Sequence, residues 1–106
     1  MNMKLVKYML IAILVLGTGE VAAQVQVVSG KVTEMLGNQI EPIVGANVNI
    51  VNAQNRSVGG AVTNLDGDYR LQIPAQENNL TLVYSYIGMK TKRIKYTGQK
   101  VLNVKL

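Results

Sequence analysis

The chain of 106 residues contains no cysteine and no histidine. Without cysteine there is no disulfide, no thiolate metal site and no residue for a lipoprotein to acylate. Without histidine the commonest general base and the commonest metal ligand are both missing. Ser29, Ser57 and Ser85 therefore have no imidazole to activate them as nucleophiles. Phe and Trp are absent too, so five Tyr supply all the aromatic surface. Acidic residues are scarce, six against eleven Lys and Arg, which gives a formal net charge of +5. The acids beyond residue 24 fall in expected loops or on solvent faces, with no pocket between two carboxylates such as glycoside hydrolysis requires. These absences argue against an enzyme.

The first thing present is a targeting pattern. Lys4 and Lys7 make a basic start, and Tyr8 to Leu16 is continuously apolar. Gly17, Thr18 and Gly19 break any helix, and Val21-Ala22-Ala23 offers the small residues a signal peptidase reads. Residues 1–23 are thus expected to be a cleaved secretory signal peptide. The alternative, an uncleaved anchor, needs roughly 20 apolar residues to cross the hydrocarbon, and this run is too short. Residues 24–106 then form one small exported domain. Export without cysteine suits a bacterial periplasm or outer membrane better than a small animal secreted protein.

That domain reads as strands throughout. The stretch Gly59 to Ile73 reads as a hairpin closed by Asp66-Gly67. In its second half Tyr69, Leu71 and Ile73 alternate with Asp68, Arg70 and Gln72, the period of a strand buried on one face. Pro74 ends it, having no N–H for a ladder. Val25 to Thr33 is expected as the first strand, with a bulge near Val27-Val28 where the apolar parity changes. Gly37 to Pro42 reads as a loop. Ala46 to Ile50, Gly60 to Thr63, Leu80 to Ile87, Lys90 to Tyr96 and Val101 to Leu106 complete seven short strands. Leu80 to Ile87 is apolar on both parities and so is expected to lie inside a sheet, with Tyr84 and Tyr86 in the core rather than forming a sugar-stacking platform. Seven strands joined by Gly, Pro and Asn turns, with no helical period, indicate an all-β two-sheet sandwich of Ig-like type.

Two groups of residues invite a functional reading. Asn64, Asp66 and Asp68 have the spacing that opens a calcium loop, but calcium takes about six to eight oxygens and a bidentate Glu at the loop's twelfth position. Counted from Asn64 as the third, the twelfth is Ile73. Asn64, Asp66 and Gly67 are therefore expected to be a structural turn, and neither a metal nor a cofactor is expected. The second group is cationic: Lys90, Lys92, Arg93, Lys95, Lys100 and Lys105 all follow the last acid, Glu77. Lysines on an outer strand hinder edge-to-edge pairing. The same residues would also form a docking surface for an acidic protein or anionic head groups. Nucleic acid is not expected, since export separates the chain from it.

Taken in order, Val28-Ser29-Gly30-Lys31-Val32, Pro42-Ile43-Val44-Gly45-Ala46-Asn47-Val48, Thr63-Asn64-Leu65-Asp66-Gly67-Asp68-Tyr69-Arg70-Leu71 and Ser85-Tyr86-Ile87-Gly88 resemble the carboxypeptidase regulatory-like domain, a transthyretin-like β-sandwich. The resemblance is to the version at the N-terminus of SusC/RagA-type TonB-dependent outer-membrane transporters of Bacteroidetes, and it spans essentially all of residues 24–106. It implies an accessory domain with no catalytic residues, working by contact with a protein partner in the cell envelope. In those transporters the domain precedes a TonB box, a plug and a barrel that imports glycans or peptides. The sequence corresponds to the extension domain alone, as in a truncated transporter or a free-standing domain. The alternative function is a free-standing periplasmic module that binds a glycan or peptide. Two details depart from the family pattern: Asn38-Gln39-Ile40-Glu41 lengthens one loop, and Met89 stands where an aromatic is common.

Overall fold

The computed structural model describes residues 25–106, so the expected signal peptide, residues 1–23, lies outside the described residues. Eight strands follow one another: β1 (Gln26–Leu36), β2 (Gln39–Pro42), β3 (Asn47–Val51), β4 (Ser57–Val62), β5 (Asp68–Ile73), β6 (Thr81–Ser85), β7 (Lys92–Lys95) and β8 (Val104–Lys105). They make two four-stranded sheets. In the first sheet β1 pairs antiparallel with β5 and β2, and in parallel with β8. The second has the order β4-β3-β6-β7, all antiparallel. Each sheet turns one apolar face to the other. Val28 and Val32 from β1, with Tyr69, Leu71 and Ile73 from β5, meet Val48, Ile50, Leu82 and Tyr84 from β3 and β6, and all are buried. The alternation of β5 appears directly as burial, with Asp68, Arg70 and Gln72 exposed. β6 lies between β3 and β7, the interior place its two apolar parities imply.

Four sequence expectations are corrected. Residues 37–42 are not a loop. Leu36 pairs with Gln39 across Gly37-Asn38, and Gly37 has φ +63°, so a two-residue turn folds β2 back on an extended β1. Glycine in the first central position is what such a turn requires. This hairpin raises the strand count from seven to eight. No bulge occurs near Val27-Val28: the β1–β5 register runs unbroken from Gln26–Ile73 to Lys31–Asp68. Val25 and Val27 simply take the outer parity, and the register shift falls instead between Ile50 and Val51. Tyr86 is not core but 37% exposed, because β6 has ended at Ser85 and the chain is already turning.

The fourth correction matters most. Gly59 to Ile73 is not a hairpin, since β4 belongs to the second sheet and β5 to the first. Thr63 marks the parting. Its N–H donates to Ala46 O (3.0 Å), and its hydroxyl donates to Ile43 O (2.6 Å) and accepts from Ala46 N–H (2.9 Å). These bonds hold the end of β4 against the start of β3 while the chain beyond crosses to β1. Thr63 is buried, with 3% exposure, and its hydrogen bonds explain why a polar side chain is tolerated there.

One polar relay joins the sheets inside the core. Tyr69 hydroxyl donates to Leu102 O (2.6 Å), which can only accept. The bond between the two tyrosine hydroxyls (2.6 Å) therefore runs from Tyr84 to Tyr69. Their rings meet edge to face, with centroids 5.6 Å apart at 75°. Burial raises the pKa of both phenols above 10.0, and donating to Tyr69 raises that of Tyr84 further. Leu102 O reaches Tyr69 by passing directly over Gly30, where any Cβ would overlap it. Ser29 N–H to Lys100 O (3.0 Å), Leu102 N–H to Ser29 O (2.9 Å) and Leu106 N–H to Thr33 O (2.8 Å) fasten the same C-terminal segment along β1.

Gly30→Ala should therefore cost more than about 3 kcal/mol, since backbone must move, whereas Tyr84→Phe should cost about 1 kcal/mol; urea denaturation followed by circular dichroism checks both. Both phenols titrate above 10.0 in the folded state, so the native protein keeps protons that the unfolded chain releases. Their contribution is complete below about pH 10 and is lost as the pH rises beyond it. Urea midpoints measured through that range should fall, and fall less steeply in Tyr84→Phe.

Candidate functional site

The turn between β4 and β5 is built on one side chain. Asn64 Oδ1 accepts N–H bonds from Asp66 (3.0 Å) and Asp68 (2.9 Å). The main chain closes around it, with Gly67 N–H to Asn64 O (2.9 Å) and Asn64 N–H to Asp68 O (3.0 Å). Gly67 has φ +76°, and its carbonyl accepts from Val32 N–H (2.8 Å), so a buried glycine docks the turn on β1. A Cβ there would lie 2.7 Å from Val32 O. Lys31 secures the outside: Nζ donates to Asp66 O (2.6 Å) and pairs with Asp68 Oδ1 (3.2 Å). This is half-exposed, so the pair contributes little to stability on its own. Asn64 thus spends its side-chain oxygen on the turn and Asp68 its carboxylate on Lys31, while Asp66 takes part through its main chain.

The six cations do not share one sheet. Lys92, Arg93 and Lys95 lie on β7, the outer strand of the second sheet, and Lys90 in the turn before it. Ile94 faces the core, and Arg93 and Lys95 take the opposite parity. Lys92 has the inward parity but sits at the strand's exposed end. Arg93 donates to Asn55 Oδ1 (3.0 Å) in the β3–β4 turn. Lys105 is on β8, in the first sheet, and the main chain of Lys100 is bonded to Ser29 beside β1.

A further surface escaped the sequence reading. Asn47, Val62 and Ser85 are paired neighbours at one end of the second sheet. The connections leaving that end carry exposed apolar side chains: Val44, Leu65 (83% exposed), Tyr86 and Ile87 (93% exposed). The hairpin tip adds Met35, Leu36 and Ile40. Apolar side chains concentrated in turns are unusual, and such patches mark contact surfaces. The signal was legible: Leu65 and Ile87 stand inside turns, where no core is available to take them.

Two sheets packed face to face through one apolar layer, with polar atoms inside it fully hydrogen-bonded, define a transthyretin-like β-sandwich. The fold is shared with the major plantain pollen allergen Pla l 1, at TM-score 0.51 and 16% identity over 77% of this chain and 90% of that one. Residues 28–106 match the CarboxypepD_reg-like domain, and the chain belongs to that family. It is also 37% identical over 73 residues to the TonB-dependent receptor P39 of Formosa agariphila. That match takes in 68% of this chain but 6% of the receptor, so the similarity concerns one domain of a far longer protein.

Asn64→Ala should destabilise the fold by about 1–3 kcal/mol, because two amides lose their acceptor. Gly67→Ala should cost more, combining the left-handed φ with the collision at Val32 O. Thermal melts followed by circular dichroism would rank the two.

Proposed function

We propose that this chain is a non-catalytic accessory domain of a TonB-dependent nutrient uptake system of the SusC/RagA type, exported to the periplasmic side of a Bacteroidetes outer membrane. The carrying observation is the 37% identity to a TonB-dependent receptor over 68% of this chain. The family match over residues 28–106 supports the same context. The chemistry supports contact rather than catalysis. The sequence has neither histidine nor cysteine, and Ser29, Ser57 and Ser85 sit in strands or at their ends with no base to activate them. The tyrosines weigh against the glycan-binding alternative: Tyr69 and Tyr84 are interior, and Tyr96 is half-buried with its hydroxyl on Gln26 (2.6 Å). A flat pair of exposed rings, on which a sugar would stack, is not formed by these three.

On this reading the domain meets an acidic envelope component through Lys90, Lys92, Arg93 and Lys95, with Lys100 and Lys105 extending the positive field. The test is capture from a Bacteroidetes envelope extract with the tagged full chain, against the variant Lys92→Glu, Arg93→Glu, Lys95→Glu. Mass spectrometry should identify an outer-membrane transporter or a TonB-system protein, recovered at least about tenfold less by the variant. A carbohydrate-array hit without any such protein would refute the proposal.

A further inference from the structure

β4 and β5 are the free edges of different sheets, yet they lie side by side. Each pairs on one side only, β4 with β3 and β5 with β1. The direction of their unused main-chain groups follows from the register. Thr63 N–H bonds Ala46 O, so Ala61, of the same parity, faces β3, and Gly60 and Val62 turn N–H and C=O outward. Val32 N–H bonds Gly67 O, so Tyr69 and Leu71 face β1, and Arg70 and Gln72 turn theirs outward. Gly59, Gly60, Arg70 and Gln72 line a concave strip between the two edges. The edges come close at Gly59, where a Cβ would lie 3.1 Å from the buried Ile50 Cδ1 and 4.0 Å from Gln72 O.

The edges of the sandwich are protected unequally. β7 carries Lys92, Arg93 and Lys95 in four residues, the usual defence against an added strand. β4, Ser57-Val58-Gly59-Gly60-Ala61-Val62, has no charge and no proline. Uncharged side chains and two adjacent glycines leave its main chain approachable. The charge lining the strip is positive, Arg70; Arg56 stands just before β4, and Asp68, two positions from Arg70 on the same parity, is paired with Lys31. Among the described residues Arg70 has neither an ion-pair partner nor a side-chain hydrogen bond; the described ion pair is Lys31 with Asp68.

We propose that the β4 edge accepts an extended peptide strand from another protein, with main-chain bonds at Gly60 and Val62 and a carboxylate side chain of the peptide on Arg70. Strand addition takes affinity from main-chain bonds and selectivity from alternate side chains. Arg70 supplies the selectivity, because its guanidinium matches a carboxylate in two parallel bonds. A second copy of this chain fits poorly, since it would bring another Arg56 and Arg70 into a strip that is already cationic. The inference rests on the sandwich itself and does not depend on a TonB-linked context.

The test uses the full chain as bait for a random dodecapeptide library displayed on phage, followed by amide hydrogen exchange with the enriched peptides. Enriched sequences should alternate β-branched residues with Asp or Glu, and should slow exchange at Gly60 and Val62. Arg70→Gln should weaken binding about tenfold. Val62→Pro should abolish it while leaving the fold intact, because the lost N–H points away from β3. Protection on β7 instead, unchanged binding by Arg70→Gln, enrichment of basic peptides, or no enrichment at all would overturn the proposal. So would protection of Gly60 and Val62 that rises with protein concentration in the absence of peptide, the mark of self-pairing.

Discussion

The alignment of the two sheets depends on a hydrogen-bond relay, buried at its tyrosine pair and part-buried where it ends on Leu102. Tyr84 of the second sheet donates to Tyr69 of the first, and Tyr69 donates to the carbonyl of Leu102. Three parts of the chain, far apart in sequence, are brought to one point. Apolar packing alone would press the sheets together without fixing their lateral offset. A directed bond between two hydroxyls admits little sliding, because misalignment leaves a buried donor unpaired. Gly30 belongs to the same arrangement, since its missing side chain is the space through which the carbonyl arrives.

The crossing at residues 63–68 solves a second problem. A chain leaving one sheet for the other must satisfy its main-chain groups while it has no strand partner. Thr63 does so on the departing side, with bonds to both ends of the Ile43–Ala46 connection. Asn64 does so within the turn, and Gly67 on the arriving side through Val32. The sequence Thr63-Asn64-Leu65-Asp66-Gly67-Asp68 is thus less a reversal than a bridge between layers. Its one apolar residue, Leu65, is left outside.

Much of this was legible in the residues, and the failures share a cause. The alternation in β5 states which side chains are buried, and they are; the double apolar parity of Leu80 to Ile87 places β6 inside its sheet but fails at Tyr86 and Ile87, which lie beyond the end of the strand. Asp66-Gly67 states that the chain turns, but local turn chemistry cannot say which sheet the next strand joins. That depends on β1, more than thirty positions earlier. The β1–β2 hairpin was missed because Glu41 and Pro42 read as loop, although Gly37-Asn38 between two strand-compatible residues carried the turn. The cations were identifiable as a group in sequence. That they divide between β7 and β8, on different sheets, follows from pairing that no local pattern reveals. Leu65 falls within a turn and Ile87 at the end of an expected strand, patterns that state local conformation and leave exposure unspecified.

The parallel seating of β8 on β1 has a consequence for how the chain acquires its shape. β1 finds one of its neighbours more than seventy positions later in the chain, and Leu106 bonds Thr33. Closing so large a loop before any contact rewards it is entropically slow, and chains of this topology mature in milliseconds to seconds rather than microseconds. During that interval β1 waits with an unfilled flank. A polypeptide delivered N-terminus first would be a substrate for holding chaperones until β8 arrives, and quality control would act on that waiting intermediate rather than on the finished domain.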